Sequence, residues 1–215
     1  FEVNYMFRKK YSVSLGYSIT KDVITEVLLP DTTRKALFQT MENLNEQRNY
    51  SLTANVPVSL AKWWNANNNA MLFYLGFRAD DLRGKELNSG KISYQLTSQH
   101  TFIVNHSLTA EIAGDYRAPL EYGAFKVQSE YGIDLGLSKS FMNKKANLKL
   151  SVSDVFDTRK QRVSSVYEGL TYNLVQKNET RLAKLTFSYR FGKNEIKPAR
   201  RRSTGVEEEQ RRMKN

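Results

Sequence analysis

LAKLTFSYRF, residues 182–191, alternates from Ala183 onward: Leu185, Phe187, Tyr189 and Phe191 take one parity, and Lys184, Thr186, Ser188 and Arg190 the other. An extended chain turns successive side chains to opposite sides, so this is a strand with one greasy face and one wet face. Beyond Phe191 the sequence changes to GKNEIKPARRRSTGVEEEQRRMKN, a charged run without alternation.

The same period of two recurs along the chain. Tyr11, Val13, Leu15, Tyr17 and Ile19 oppose Ser12, Ser14, Gly16, Ser18 and Thr20. Tyr50, Leu52, Ala54, Val56, Val58 and Leu60 form a second apolar set, followed by Ile92, Tyr94 and Leu96, then Leu108, Ala110, Ile112 and Tyr116. The longest set reads from Phe125 and Val127 through Tyr131, Ile133, Leu135 and Leu137 to Phe141, and Leu148, Leu150 and Val152 precede the closing strand. The pattern predicts about nine strands.

The 215 residues contain no cysteine and only His100 and His106, which leaves neither disulfides nor a zinc site to expect. No run reaches the roughly 18–20 apolar residues of a membrane helix. A membrane β-barrel is not excluded by that, because its strands are apolar only at every second residue. The chain starts at Phe1, inside an alternating segment, and reads as a piece of something longer whose export signal lies elsewhere.

Short polar turns are expected at Arg8–Lys10, Trp64–Asn69, Asn105–His106 and Met142–Lys145, and longer links near Pro30–Thr33, Asp80–Gly90, Arg117–Gly123 and Asp157–Gly169. Short connections on one side and long ones on the other mark an up-and-down antiparallel barrel. A soluble β-sandwich would also alternate, but its outer face would carry more charge. Here the polar face is mostly Ser, Thr, Asn, Gln and Gly, as a watery lumen requires. Phe7, Tyr11, Trp63, Trp64, Phe102, Phe141 and Phe191 gather near the short turns, where an aromatic girdle would meet a membrane interface. The fold class is therefore all-β, an antiparallel up-and-down transmembrane β-barrel segment over residues 1–192, with a charged tail, flexible or briefly helical, over 193–215.

TKDVITEVLLPDTT (20–33), AKWWNANNN (61–69), NLKLSVSDVFDTRK (147–160) and LTFSYRFGK (185–193) resemble, in that order, the C-terminal barrel portion of the TonB-dependent-receptor-like outer membrane proteins of the Bacteroidota. The tail, ARRRSTGVEEEQRRMK (199–214), is similar to the tail such proteins carry after the last strand. The resemblance implies a barrel of about twenty-two strands around an N-terminal plug, in the cell outer membrane. It implies uptake of a bulky nutrient (a metal chelate, oligosaccharide or peptide) driven by TonB through a plug outside these residues. Implied partners are outer membrane lipid, the rest of the barrel and plug, and the barrel assembly machinery. Phe191 resembles the terminal aromatic of the assembly signal, although the chain continues past it. The alternatives are a non-transport structural or assembly protein of the outer membrane, and a small self-contained porin-like barrel. The last requires Phe1–Phe7 to pair with Leu182–Phe191.

No catalytic set emerges, and neither enzyme activity nor a cofactor is expected. Glu111 with Asp115, and Glu130 with Asp134, fall on polar faces, but residues four apart in a strand stand about 13 Å apart, beyond a glycosidase couple. They are read as lumen-lining carboxylates balanced by Lys126, Arg117 and Lys149, with Lys184 and Arg190 on the same lining. Leu135, Leu137, Leu148, Leu150, Leu185, Phe187 and Tyr189 are the lipid-facing set. Asp154 is the misfit, since it shares the parity of Leu148, Leu150 and Val152; the strand must end or bulge before it. Asp80 and Asp81 read as solvated link charges, and His100 and His106 as interface or surface residues.

The net charge of +11 is spread over turns, links and tail. No basic strip is interleaved with stacking aromatics on one face, so nucleic acid is not expected as a partner. Turn and tail cations suit anionic headgroups instead. Thr204 and Glu207 fit a capping box for a short helix in the tail, too short to hold alone in water.

Overall fold

The computed structural model describes residues 1–31, 36–82, 84, 86–122, 125–167 and 170–191. The tail, with its capping box, lies outside the described residues.

In chain order the strands are β1 (Glu2–Phe7), β2 (Tyr11–Asp31), β3 (Ala36–Ala61), β4 (Trp64–Ala79), β5 (Leu87–Ile103), β6 (Leu108–Arg117), β7 (Leu120–Tyr122) and β8 (Phe125–Val127). They continue as β9 (Glu130–Phe141), β10 (Ala146–Val152), β11 (Gln161–Tyr167), β12 (Leu170–Gln176) and β13 (Ala183–Tyr189). Nine of them form one antiparallel sheet in the order β1-β2-β3-β4-β5-β6-β9-β10-β13. The remaining four form a second sheet, β12-β11-β8-β7, built from the two long links that follow β6 and β10.

Register carries the alternation across the large sheet. Leu15 pairs with Leu52, Leu52 with Leu72, and Leu72 with Tyr94; further along, Ile112 pairs with Leu135, Leu137 with Leu150, and Leu150 with Leu185. One face is thus apolar from edge to edge. It is also uncovered: Leu15 is 53% exposed, Leu72 47% and Leu185 66%. A sandwich would bury these side chains under a second layer, and among the described residues no layer lies on them. The compact core is small and sits at the long-link end, where Leu44, Phe77, Ala79 and Leu82 pack together and Tyr122 of β7 meets the Phe77 ring edge-on at 4.9 Å.

Rings mark both limits of the apolar face. Near the short turns stand Phe7 and Tyr11, the stacked Trp63 and Trp64, and Phe102. Farther up runs a tyrosine row that the sequence reading did not single out. Tyr17 pairs with Tyr50 and Tyr50 with Tyr74, at ring separations of 4.8 and 5.9 Å. Tyr94 meets Tyr116 at 5.6 Å, and Tyr116 pairs with Tyr131. Trp64 to Tyr74, and Phe141 to Tyr131, are each about ten residues, or about 33 Å of strand. At a barrel tilt that is about 25 Å of height, the thickness of an outer membrane apolar band.

Four expectations change. Trp64–Asn69 is not a turn but the start of β4; the hairpin turns one step earlier, at Lys62–Trp63, with a bulge between Ser59 and Ala61. The asparagines misled because Asn favours turns, whereas Asn65, Asn67 and Asn69 simply take the polar parity. Phe125–Phe141 is not one strand: it breaks at Gln128–Ser129, where the apolar parity meets a serine, and its first three residues belong to the small sheet. Gly90 lies within β5, paired with Gly76, under the Tyr74 ring. Finally, β1 pairs only with β2 and β13 only with β10 among the described residues, so the pairing required by a small self-contained barrel is missing.

Candidate functional site: a charged lane on the polar face

The polar face of β6, β9 and β10 holds a lane of charge. Thr109, Glu111, Ala113, Asp115 and Arg117 share one side of β6, opposite Ser138, Gly136, Asp134, Gly132 and Glu130 of β9. Glu111 and Asp115 are not partners, as their spacing predicts. Lys149 reaches across from β10 to Glu111 at 2.7 Å, and Arg117 pairs with Glu130.

The third pairing was not foreseen. Register places Asp115 and Asp134 diagonally across β6 and β9, and Arg159, from the link after β10, lies between them. It donates from Nη1 and Nη2 to the two Asp134 oxygens at 2.8 and 3.1 Å, and from Nη2 to Asp115 as well. Its side chain is only 18% exposed. The two carboxylates raise its pKa above the ordinary arginine value, Asp134 contributing most. A fork-shaped cation suits this place; an ammonium could not span both acids in the same way.

Two glycines make the lane passable. A Cβ on Gly132 would fall on the Arg159 guanidinium, and one on Gly136 would come within 3.2 Å of a Glu111 oxygen. In GIDLG the glycines are therefore notches on either side of Asp134, over which long side chains cross.

Asp154 resolves its own misfit. β10 ends at Val152, and Asp154 (φ 46°) turns the chain inward and is fully buried. Its carboxylate accepts from the Thr180 hydroxyl, the Thr158 backbone at 2.8 Å and hydroxyl at 3.1 Å, and the Arg159 backbone at 3.1 Å. Its own N–H donates to Asp134 at 2.7 Å. Burial pushes its pKa up, but the donors outweigh burial and hold it at about 2. The link is latched further by Val155 N–H on the Ile133 carbonyl and the Thr158 hydroxyl on the Tyr131 carbonyl. Arg159 and Asp154 carried no usable signal in the sequence beyond Asp154's broken parity, because the partners that tie their link to the sheet and to Thr180, namely Asp115, Asp134 and Thr180 itself, are twenty or more residues away.

The other predicted residues stay apart. Lys184 pairs in register with Ser151 at the open edge, and Arg190 donates its backbone N–H to the Lys145 carbonyl. Lys126 is not on the large sheet; it lies in β8, in register with Glu121 and Ser164. Leu135, Leu137, Leu148, Leu150, Leu185, Phe187 and Tyr189 share the apolar face, and Phe191 touches Tyr189 edge-on at 4.7 Å. Asp80 pairs with Arg78 at 2.9 Å, and Asp81 accepts from Gly84 N–H. Among the described residues no three His, Asp or Glu side chains form a group that could hold a metal.

His100 is unusual in standing on the apolar face with Ser98 and Asn68. The three satisfy one another: Trp64 Nε1 donates to His100 Nδ1 at 3.0 Å, Ser98 lies 3.0 Å from His100 Nε2 and donates to Asn68 at 2.7 Å, and Asn68 donates to the Val56 carbonyl. With each polar atom partnered, this row can lie against hydrocarbon at little cost.

The model of the outer membrane protein beta-barrel family matches residues 1–189 of the chain. Neither a curated protein nor a solved structure matches it.

Proposed function

From a chain that belongs to the outer membrane protein beta-barrel family, and so resides in the outer membrane, we propose the C-terminal barrel wall of a TonB-dependent receptor that takes up a bulky nutrient. The supporting observation is the open nine-stranded sheet. Bare strand edges are not tolerated in hydrocarbon, so β1 and β13 require further strands and the complete barrel is wider than nine. A wide barrel suits a plugged lumen and a large solute rather than a narrow pore. The apolar face meets lipid between its two aromatic rows, and the charged lane lines the lumen. The small sheet and the latched link after β10 lie at the outer mouth, where a solute would first make contact.

The rival reading, a structural protein without transport, draws on the lane itself, whose described charges are already paired and offer no free ion to a charged solute. Uptake assays on cells expressing the full-length protein distinguish the two. Accumulation of a labelled metal chelate, oligosaccharide or peptide that disappears when TonB is deleted supports the receptor. Normal surface display with no TonB-dependent uptake of any of the three supports the structural role.

A further inference from the structure

Charge of one sign collects at the short-turn end of the large sheet. The first turn holds Arg8, Lys9 and Lys10, the second Lys62, and the fourth Lys144 and Lys145. The third, Val104–Ser107, has His106 and no carboxylate. Moving up β6 from that end, the first carboxylate is Glu111, already held by Lys149. Among the described residues none of the turn cations makes an ion pair.

These cations stand where a hairpin would more easily place other residues. Lys10 N–H donates to the Phe7 carbonyl at 3.1 Å across Arg8 (φ 51°) and Lys9 (φ 52°). Lys145 N–H closes on Met142 at 3.1 Å across Asn143 (φ 53°) and Lys144 (φ 66°). Arg8 and Lys9 in the first turn, and Met142, Asn143 and Lys144 in the fourth, take the left-handed backbone that favours glycine or asparagine. Lysine occupies such a position in both turns, and the strain is accepted for a charge.

Rings stand beneath the charges. Arg8 lies over the Phe7 ring at 5.1 Å, Lys10 over Tyr11 at 5.4 Å, and Lys139 over Phe141 at 5.5 Å. Those rings belong to the apolar face, so each cation rides its stem to the line where that face ends. We infer that this rim is a binding surface for the anionic headgroups of phospholipids in the leaflet that meets the short turns. The charged tail does not fit as the occupant, because residues 192–215 carry eight basic side chains against four acidic. The inference rests on the apolar face lying in the membrane, not on the transport reading.

The test uses the full-length protein in phosphatidylcholine bilayers containing spin-labelled phosphatidylglycerol or spin-labelled phosphatidylcholine. The motionally restricted fraction of each label gives their relative association. A preference for phosphatidylglycerol of about fivefold or more is expected, since each cation close to an anionic surface adds about that factor. It falls toward one at high salt, which screens the contact. It also falls in Lys9→Gln/Lys10→Gln/Lys144→Gln/Lys145→Gln, and survives in Lys21→Gln/Lys91→Gln, away from the rim. A heat-dependent shift in gel mobility reports folding, and if the quadruple variant does not fold, the salt response of the unaltered protein decides. Equal association of the two lipids overturns the rim while leaving the barrel intact, as does a preference lost equally in the Lys21/Lys91 variant. Failure of the protein to enter bilayers at all overturns both readings.

Discussion

Arg159 ties three parts of the chain together, and its removal leaves two neighbouring carboxylates without a counter-charge. Arg159→Met is expected to cost about 3 kcal/mol, the usual penalty for breaking a partly buried pair, read in urea unfolding of the protein in lipid vesicles. Arg159→Lys should recover little, because an ammonium cannot serve Asp115 and both Asp134 oxygens together. Asp154 adds a pH signature. Its folded pKa is about 2, below the unfolded value, so its contribution is complete above about 4 and is lost as pH falls through about 2. Pepsin provides the readout, because Phe156 in the same link is exposed. Cleavage there, normalised to a free peptide, should be slow at pH 3.5 and fast near pH 2, with Asp154→Asn cleaved quickly at both. On the apolar side, Leu135→Arg should cost about 2–4 kcal/mol of membrane folding and Thr186→Arg almost nothing, as only Leu135 stands on the apolar face of the sheet. Which residues face which way was legible because a period of two is local. That Arg159 and Asp154 complete the lane was not, since it depends on a register and a folded link that join residues far apart in the chain.

The hairpins show where local signals compete. An asparagine run reads as a turn from composition, yet WNANNN, residues 64–69, opens β4 because Asn65, Asn67 and Asn69 fall in register with Ser59, Pro57 and Asn55 on the polar side of β3. The tyrosine row was hidden for a related reason: its members come from six strands, and only the register lines them up. The β3–β4 hairpin offers a direct measurement, because Trp63 and Trp64 are the chain's two tryptophans and both sit at its turn. Lipids brominated near the glycerol should quench their fluorescence more strongly than lipids brominated near the chain ends. Stronger quenching from the chain ends would move the lower aromatic row off the interface. The small sheet was invisible in the sequence, because three-residue strands such as β7 and β8 give too few positions for alternation to declare itself.

Taken as a molecule, the described residues form a wall whose two edge strands, β1 and β13, each pair on one side only. Produced alone, residues 1–191 are expected to associate through those edges and elute as aggregates or mixed oligomers in detergent; a single protease-resistant monomer would speak against the wider barrel. The same wall is uneven in height. β2 and β3 run fourteen residues past the Tyr17–Tyr50 pair, to Asp31 and Ala36, about 46 Å of additional strand. The other strands of the large sheet end far lower, so this hairpin reaches farthest beyond the upper aromatic row. A peptide epitope grafted near its top is expected to be carried farther from the apolar face than one grafted on any shorter hairpin of the sheet.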